Sequence, residues 1–185
     1  MSGGNAESAF AGARSGPDAR PRVFAALDAL RLEHRTVEHP PIRTVEEGRA
    51  YRAEMPGAAT KNLFVVDKAG APFLIICHGE RRAKLKALAK ALGAEGRFSF
   101  AGEATLLDVL GVTPGSVSAF ALLNDDAGQV RAVGLDKALL DEALVWAHPL
   151  DNAASTGLAP GDLLRFLRSR GIEPRIVDIE EPDGA

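Results

Sequence analysis

Several things are scarce in this 185-residue chain, and each scarcity excludes something. There is one cysteine, Cys77, so a disulfide scaffold is excluded and a reducing compartment suits the chain. Cys77 sits inside the apolar run Phe73-Leu74-Ile75-Ile76-Cys77, where burial raises a thiol's pKa, so it reads as a small core residue and not as a nucleophile. No apolar run approaches the roughly 18–20 residues of a spanning helix. The opening stretch MSGGNAESAFAGARSGPDARP has no apolar core of a secretion signal, so the expected location is the cytoplasm. The formal net charge is only −3, which excludes a chain that is basic throughout; any nucleic-acid site must be a local patch. Gly-x-Gly-x-x-Gly, a phosphate-loop Gly-Lys-Ser/Thr, His-Glu-x-x-His and Gly-x-Ser-x-Gly are all missing. No Cys/His set has zinc spacing, and His34 and His39 are five apart with prolines following the second, so no shared metal face is expected.

What is present is a mixture of helical and strand patterns. Residues 1–20, rich in Gly, Ala and Ser, read as an unfolded extension; a single domain is expected over 21–180, with 181–185 as a tail. Helices are expected from Pro21, after Thr44 (a capping residue followed by acids), over Glu80–Gly93, over Glu103–Gly111 and from Ala159. Two apolar runs flank Lys68-Ala69-Gly70 as a hairpin, and strands are also expected at Arg35, at Arg97, through Ser116–Asp125, before Asp136, ending at His148 and at the C-terminus. Hairpins need antiparallel pairs, and helices interrupt them. The fold class is therefore α+β, with a mixed, largely antiparallel sheet.

Three polar islands stand at the ends of apolar strands. In Thr60-Lys61-Asn62, a lysine at a strand mouth supplies a compact cation for a phosphate or a carbonyl-bearing ligand; the plainer reading is a solvated lysine guarding a sheet edge. In Thr113-Pro114-Gly115-Ser116-Val117-Ser118, the Pro-Gly turn admits a ligand to the backbone, or is simply a turn. In the stretch from Trp146 to Thr156, His148 offers acid–base chemistry through its ring, or a hydrogen-bonding backbone carbonyl, while Asn152 and Thr156 offer neutral polar groups. A fourth feature is the run Arg81, Arg82, Lys84, Lys86 and Lys90, expected on one helix, which is either a solvated face or a surface for phosphates.

Taken together, TKNLF, LGVTPGSVSAFALLND and HPLDNAAST followed by DLLRFLRSRG resemble the YbaK / prolyl-tRNA synthetase-associated domain family, over about Pro21 to Glu180. The Lys-Asn-Leu-Phe form is similar to the free-standing branch that clears alanine mischarged onto proline tRNA. The resemblance implies a barrel-like sheet surrounded by helices. It implies a trans-editing aminoacyl-tRNA deacylase with no cofactor, no metal and no covalent intermediate, whose partners are mischarged tRNA and prolyl-tRNA synthetase. It implies that Lys61 places the adenosine end, that Gly115, Ser116, Val117 and Ser118 cradle the aminoacyl group, and that His148 lies beside the reacting carbonyl and helps to position water. Asn62, Asn152 and Thr156 are implied in the pocket, and Arg81, Arg82, Lys84 and Lys86 on the acceptor stem. Where the family commonly has proline then glycine, this chain has Ala119 and Ala121, which bears on the choice of amino acid.

Three other readings stay open at this point: a non-catalytic tRNA- or synthetase-binding module of the same fold, a deacylase for cysteine or serine, and a serine hydrolase using Ser116 or Ser118 with His148 as base. No coiled-coil pattern or long exposed apolar stripe is present, so a monomer is expected.

Overall fold

The computed structural model describes residues 13–42 and 44–179. Its elements run α1 (Arg20–Ala29), β1 (Arg35–Glu38), α2 (Val45–Gly48), β2 (Ala58–Val66), β3 (Pro72–His78), α3 (Leu85–Ala91), β4 (Ser99–Phe100), α4 (Glu103–Leu110), β5 (Ala132–Asp136), β6 (Val145–Ala147), β7 (Ala154–Leu158), α5 (Pro160–Ser169) and β8 (Arg175–Val177). The strands form one mixed sheet in the order β1-β7-β6-β2-β3-β5-β8, with β4 on the far end of β2. Four of the pairings are antiparallel and three parallel. Among the described residues nothing joins β1 to β8, so the α+β mixed sheet is open and not the closed barrel the resemblance allowed.

The β2–β3 hairpin turns where Lys68-Ala69-Gly70 predicted it. Asp67 closes the turn by accepting from the Ala69 and Ala71 amides and ties it to the next loop by accepting from Glu95 N–H. Those amide donors, the Glu95 amide foremost, hold its carboxyl below the usual range. Alternation along the hairpin feeds two cores. Phe64, Leu74 and Ile76 join α1, α4 and α5 in the larger core; Val65, Phe73, Ile75 and Cys77 pack with Leu88 of α3 and with Leu92, which caps that helix, in the smaller one. Cys77 is fully buried, and burial pushes its thiol up to about 12, as expected of a core residue.

Several expectations are corrected. The packed chain begins before Pro21: Ala19 is fully buried, Gly16 N–H donates to Leu150 O, and Arg14 donates to the Asn124 carbonyl, while residues 1–12 and 180–185 lie outside the described residues. The helix after Thr44 keeps its capping box with Glu47 but ends at Gly48, continuing as a 3-10 turn to Tyr51. The strand expected through Ser116–Asp125 is instead a 3-10 helix over Ala119–Asn124. Ala119 to Leu122 are all buried, so no polar face marks the period, and an apolar run of that length fits either element. The basic helix starts at Leu85, so Arg81, Arg82 and Lys84 precede it. The Arg81 guanidinium is drawn to Asp136 and Asp178 at 2.6 Å each, which holds that segment out of the helix. Finally β7 stands where only a polar loop was read. Its small residues are buried throughout, and Gly157 is required because a Cβ there would stand 2.8 Å from the Trp146 ring.

Candidate active site

The sheet has one irregularity that matters. On one edge β2 pairs with β3 along seven residues, Thr60 to Val66. On the other edge β6 pairs only with Ala58 and Ala59, and β4 only with Val65 and Val66. Between them no described strand borders β2, and a cavity of about 260 Å³ opens beside the gap. It is lined by Lys61, Asn62, Gly115, Val117, His148 and Ser155, among others, with the α2 segment supplying Thr44 and Gly48.

Register explains why a lysine and a histidine meet here. Ala59 and Trp146 are partners in the parallel β2–β6 pair and therefore share a face. Two residues further along each chain, on that same face, come Lys61 and His148. Trp146 fixes the floor: it is buried, its indole N–H donates to Pro56 O at 2.8 Å, and its carbonyl accepts from Thr60 Oγ1 at 2.9 Å.

Each polar group at the site has a defined role. The Lys61 ammonium donates to the Arg81 carbonyl at 2.5 Å, spending one of three N–H donors and leaving two for a ligand. Arg81 is thus a strut: its side chain is anchored on the fully buried Asp136 and on Asp178, and its backbone holds the lysine. Asn62 Nδ2 donates to Thr60 Oγ1, whose own hydrogen goes to Trp146 O; that relay fixes the amide's orientation. Asn62 Oδ1 is buried with no hydrogen-bond partner among the described residues, an acceptor suited to a donor on a ligand.

His148 is held from both ends. Its Nδ1 lies 3.1 Å from Gly115 O; a carbonyl only accepts, so Nδ1 carries the hydrogen and Nε2 presents a lone pair. Burial pushes the imidazole below its usual range, and His39 acts in the same direction, while the Gly115 carbonyl and Asp151 oppose them. The ring is therefore a neutral acceptor at pH 7. Its backbone carbonyl already accepts from Ser118 Oγ at 2.7 Å and from Leu150 N–H at 2.9 Å, which fills both lone pairs. Of the two ways His148 was expected to act, the ring is the one left available.

The other expected residues stand behind the cavity wall. Ser118 is fully buried and spends its hydroxyl on His148 O; Ser116 is buried, its amide donating to Thr113 O in the turn. Neither has a hydrogen bond to the imidazole, the arrangement a serine nucleophile needs. Thr156 is buried against Thr36 Oγ1 at 2.9 Å, and the Asn152 carbonyl accepts from Ile42 N–H. Arg82, Lys84, Lys86 and Lys90 are exposed. Two residues escaped the sequence reading. Ser155 lines the cavity, and His39, only 7% exposed, lies 2.9 Å from Ser155 Oγ through Nε2 and 6.1 Å, ring to ring, from His148. The only signal for them was His39 beside two prolines at a strand end. Among the described residues no group of three or more His, Cys, Asp or Glu is placed to hold a metal.

The sequence profile of the aminoacyl-tRNA editing domain matches residues 39–166, from just after β1 through most of α5, and includes every described residue lining the cavity. The chain belongs to the aminoacyl-tRNA editing domain family. Editing is hydrolysis of an aminoacyl ester, so the chain is an aminoacyl-tRNA deacylase by family. Among relatives, the prolyl-tRNA synthetase associated domain-containing protein 1 of Bos taurus is 37% identical over 171 residues, covering 90% of this chain and 99% of the cattle protein. The prolyl-tRNA editing protein ProX of Acetoanaerobium sticklandii is 35% identical over 155 residues, covering 83% of this chain and 93% of its own length. The fold matches the crystal structure of a candidate trans-editing enzyme for prolyl-tRNA synthetase with a TM-score of 0.70 at 24% identity, over 91% of this chain and 100% of that one. No described helix of this editing domain is long and apolar enough to cross a membrane.

Proposed function

We propose that this editing domain acts in trans, in the cytoplasm, on proline tRNA carrying a wrong small amino acid, alanine foremost. The observation that carries the reading is the convergence of Lys61 and His148 on one small cavity beside the unpaired edge of β2. A cavity of about 260 Å³ is small for a ligand site, so it suits an aminoacyl group better than a whole nucleotide with its base. Among the described residues the cavity lining carries no Asp or Glu and includes the cation of Lys61, which suits an anionic acceptor end.

In this reading the remaining Lys61 donors take the terminal ribose–phosphate end, and Asn62 Oδ1 accepts from the α-ammonium of the amino acid. A water held by His148 Nε2 attacks the acyl carbon. The new C–O bond forms as the bond to the ribose oxygen breaks, and the water's proton passes to that oxygen by way of Nε2 or the neighbouring ribose hydroxyl. Charge developing on the imidazole is favoured by the Gly115 carbonyl and by Asp151. An ester is an activated bond, so positioning supplies most of what is required. Exclusion of proline by size makes the pocket the second sieve of an editing system.

The test is a substrate panel: alanyl-, cysteinyl-, seryl- and prolyl-tRNA(Pro) with the full chain in excess. Rapid release of alanine, with proline untouched, is expected. Preferred release of cysteine or serine would reassign the amino acid. Binding of all four without release would leave a tRNA-binding module.

A further inference from the structure

We propose that Ser155, held by His39, is the second acceptor that orients the hydrolytic water beside His148. The inference rests on the deacylase reading and gives a role to a residue to which the family resemblance assigned none.

The argument is a chain of hydrogen-bond directions. His39 Nδ1 lies 2.8 Å from Pro40 O, and a carbonyl only accepts, so Nδ1 carries the ring's hydrogen. In the neutral ring Nε2 is then an acceptor, and the Ser155 hydroxyl 2.9 Å away donates to it. With its hydrogen committed, Ser155 Oγ has only lone pairs to offer the cavity it lines. His148 reaches the same condition independently, since its Nδ1–H goes to Gly115 O. The two are brought together by register. The β6–β7 pair ends at Ala147 opposite Thr156; His148 follows the first of these, Ser155 precedes the second, and both line the cavity. His39, 2.9 Å from Ser155 Oγ, has its ring centre 6.1 Å from that of His148, so the hydroxyl and the second imidazole are near neighbours. One water that donates to both bridges neighbouring acceptors of this kind with ordinary hydrogen bonds. A water that donates both hydrogens, to Ser155 Oγ and His148 Nε2, turns a lone pair outward, toward the acyl carbon.

The same contacts argue against Ser155 as a nucleophile. Ser155 lies within a regular strand and is 6% exposed. His39 Nδ1 faces the uncharged Pro40 carbonyl and not a carboxylate, so the pair lacks the third member of a nucleophilic triad.

Single-turnover deacylation of alanyl-tRNA(Pro) by the wild type, Ser155→Ala, Ser155→Thr, His39→Phe and the Ser155→Ala/His39→Phe double variant tests the role, with thermal melting to establish that each is folded. Ser155→Ala is expected to lower the maximal rate about 100-fold with KM little changed, the scale of a misplaced reactant. Ser155→Thr, which keeps the hydroxyl, restores most of the rate. His39→Phe loses less, and the double variant is no slower than Ser155→Ala, because His39 acts through Ser155. A Ser155→Ala rate equal to wild type, a loss seen only in KM, additive losses, or labelling of Ser155 by a fluorophosphonate would overturn the proposal. A wild type that releases nothing would overturn the deacylase reading as well; an active wild type with an unaffected Ser155→Ala would overturn only this one.

Discussion

The two edges of β2 make opposite use of the same strand. Toward β3 the ladder is unbroken over seven residues, and β5 and β8 extend it in parallel, with apolar side chains on both faces. Toward β6 the ladder stops after two residues, and the strand's next residues, Thr60 to Asn62, are polar. The first edge stabilises the fold and the second opens a cavity in it. A sheet that continued pairing past Ala59 would leave no room for a substrate, and one that stopped pairing on both edges would not hold Lys61 in place. Arg81 joins the two: its guanidinium belongs to the closed side through Asp136, and its carbonyl holds the cation of the open side.

Substitutions separate these edges, beginning with the largest effect. On the open edge, His148→Ala is expected to lower the deacylation rate about 10³-fold, in the range of lost acid–base and positioning roles. The wild-type pH–rate profile carries a sign as well. Burial depresses the His148 pKa, so the working neutral ring persists below pH 6.5, and activity falls only as the pH drops through that lowered value. A profile already half-lost above pH 6.5 would contradict the neutral acceptor. On the closed edge, Leu74→Ala removes a fully buried side chain from the middle of β3 and is expected to cost about 3 kcal/mol in chemical denaturation, with the rate per folded molecule kept. Ser118→Ala sits between the edges. It deletes one bond to the His148 carbonyl, costs about 1 kcal/mol of stability, and loosens the ring enough to lower the maximal rate more than KM. The smallest effect is expected at α3: Lys86→Glu with Lys90→Glu weakens tRNA binding a few-fold and flattens its salt dependence, leaving the saturated rate intact. Unchanged affinity and slope would remove that helix from the tRNA surface. Arg81 is unsuited to this purpose, because reversing its charge opposes buried Asp136 before any tRNA is met.

Residues with period or punctuation were legible in advance. The hairpin around Lys68-Ala69-Gly70, the amphipathic α5 and Thr44 as a cap all follow from local chemistry. Lys61, Asn62, Gly115, Val117 and His148, marked by polar residues at strand ends, come together at the cavity. What stayed hidden depends on partners distant in sequence. β7 is buried on both faces and made of small residues, so it shows neither alternation nor bulk. The start of α3 is set by Asp136 and Asp178, far along the chain. His39 and Ser155 are separated by 116 residues, and only the β1–β7 pairing makes them neighbours.

The most direct test of the division between the two edges is Lys61→Ala, followed by single-turnover deacylation of alanyl-tRNA(Pro) and thermal melting on the same preparation. Loss of about 100-fold or more in rate with an unchanged melting temperature is the expected result, since Lys61 serves the cavity and not the ladder. A variant that melts earlier while each folded molecule still releases alanine at the wild-type rate would make Lys61 a structural lysine and place the chemistry elsewhere.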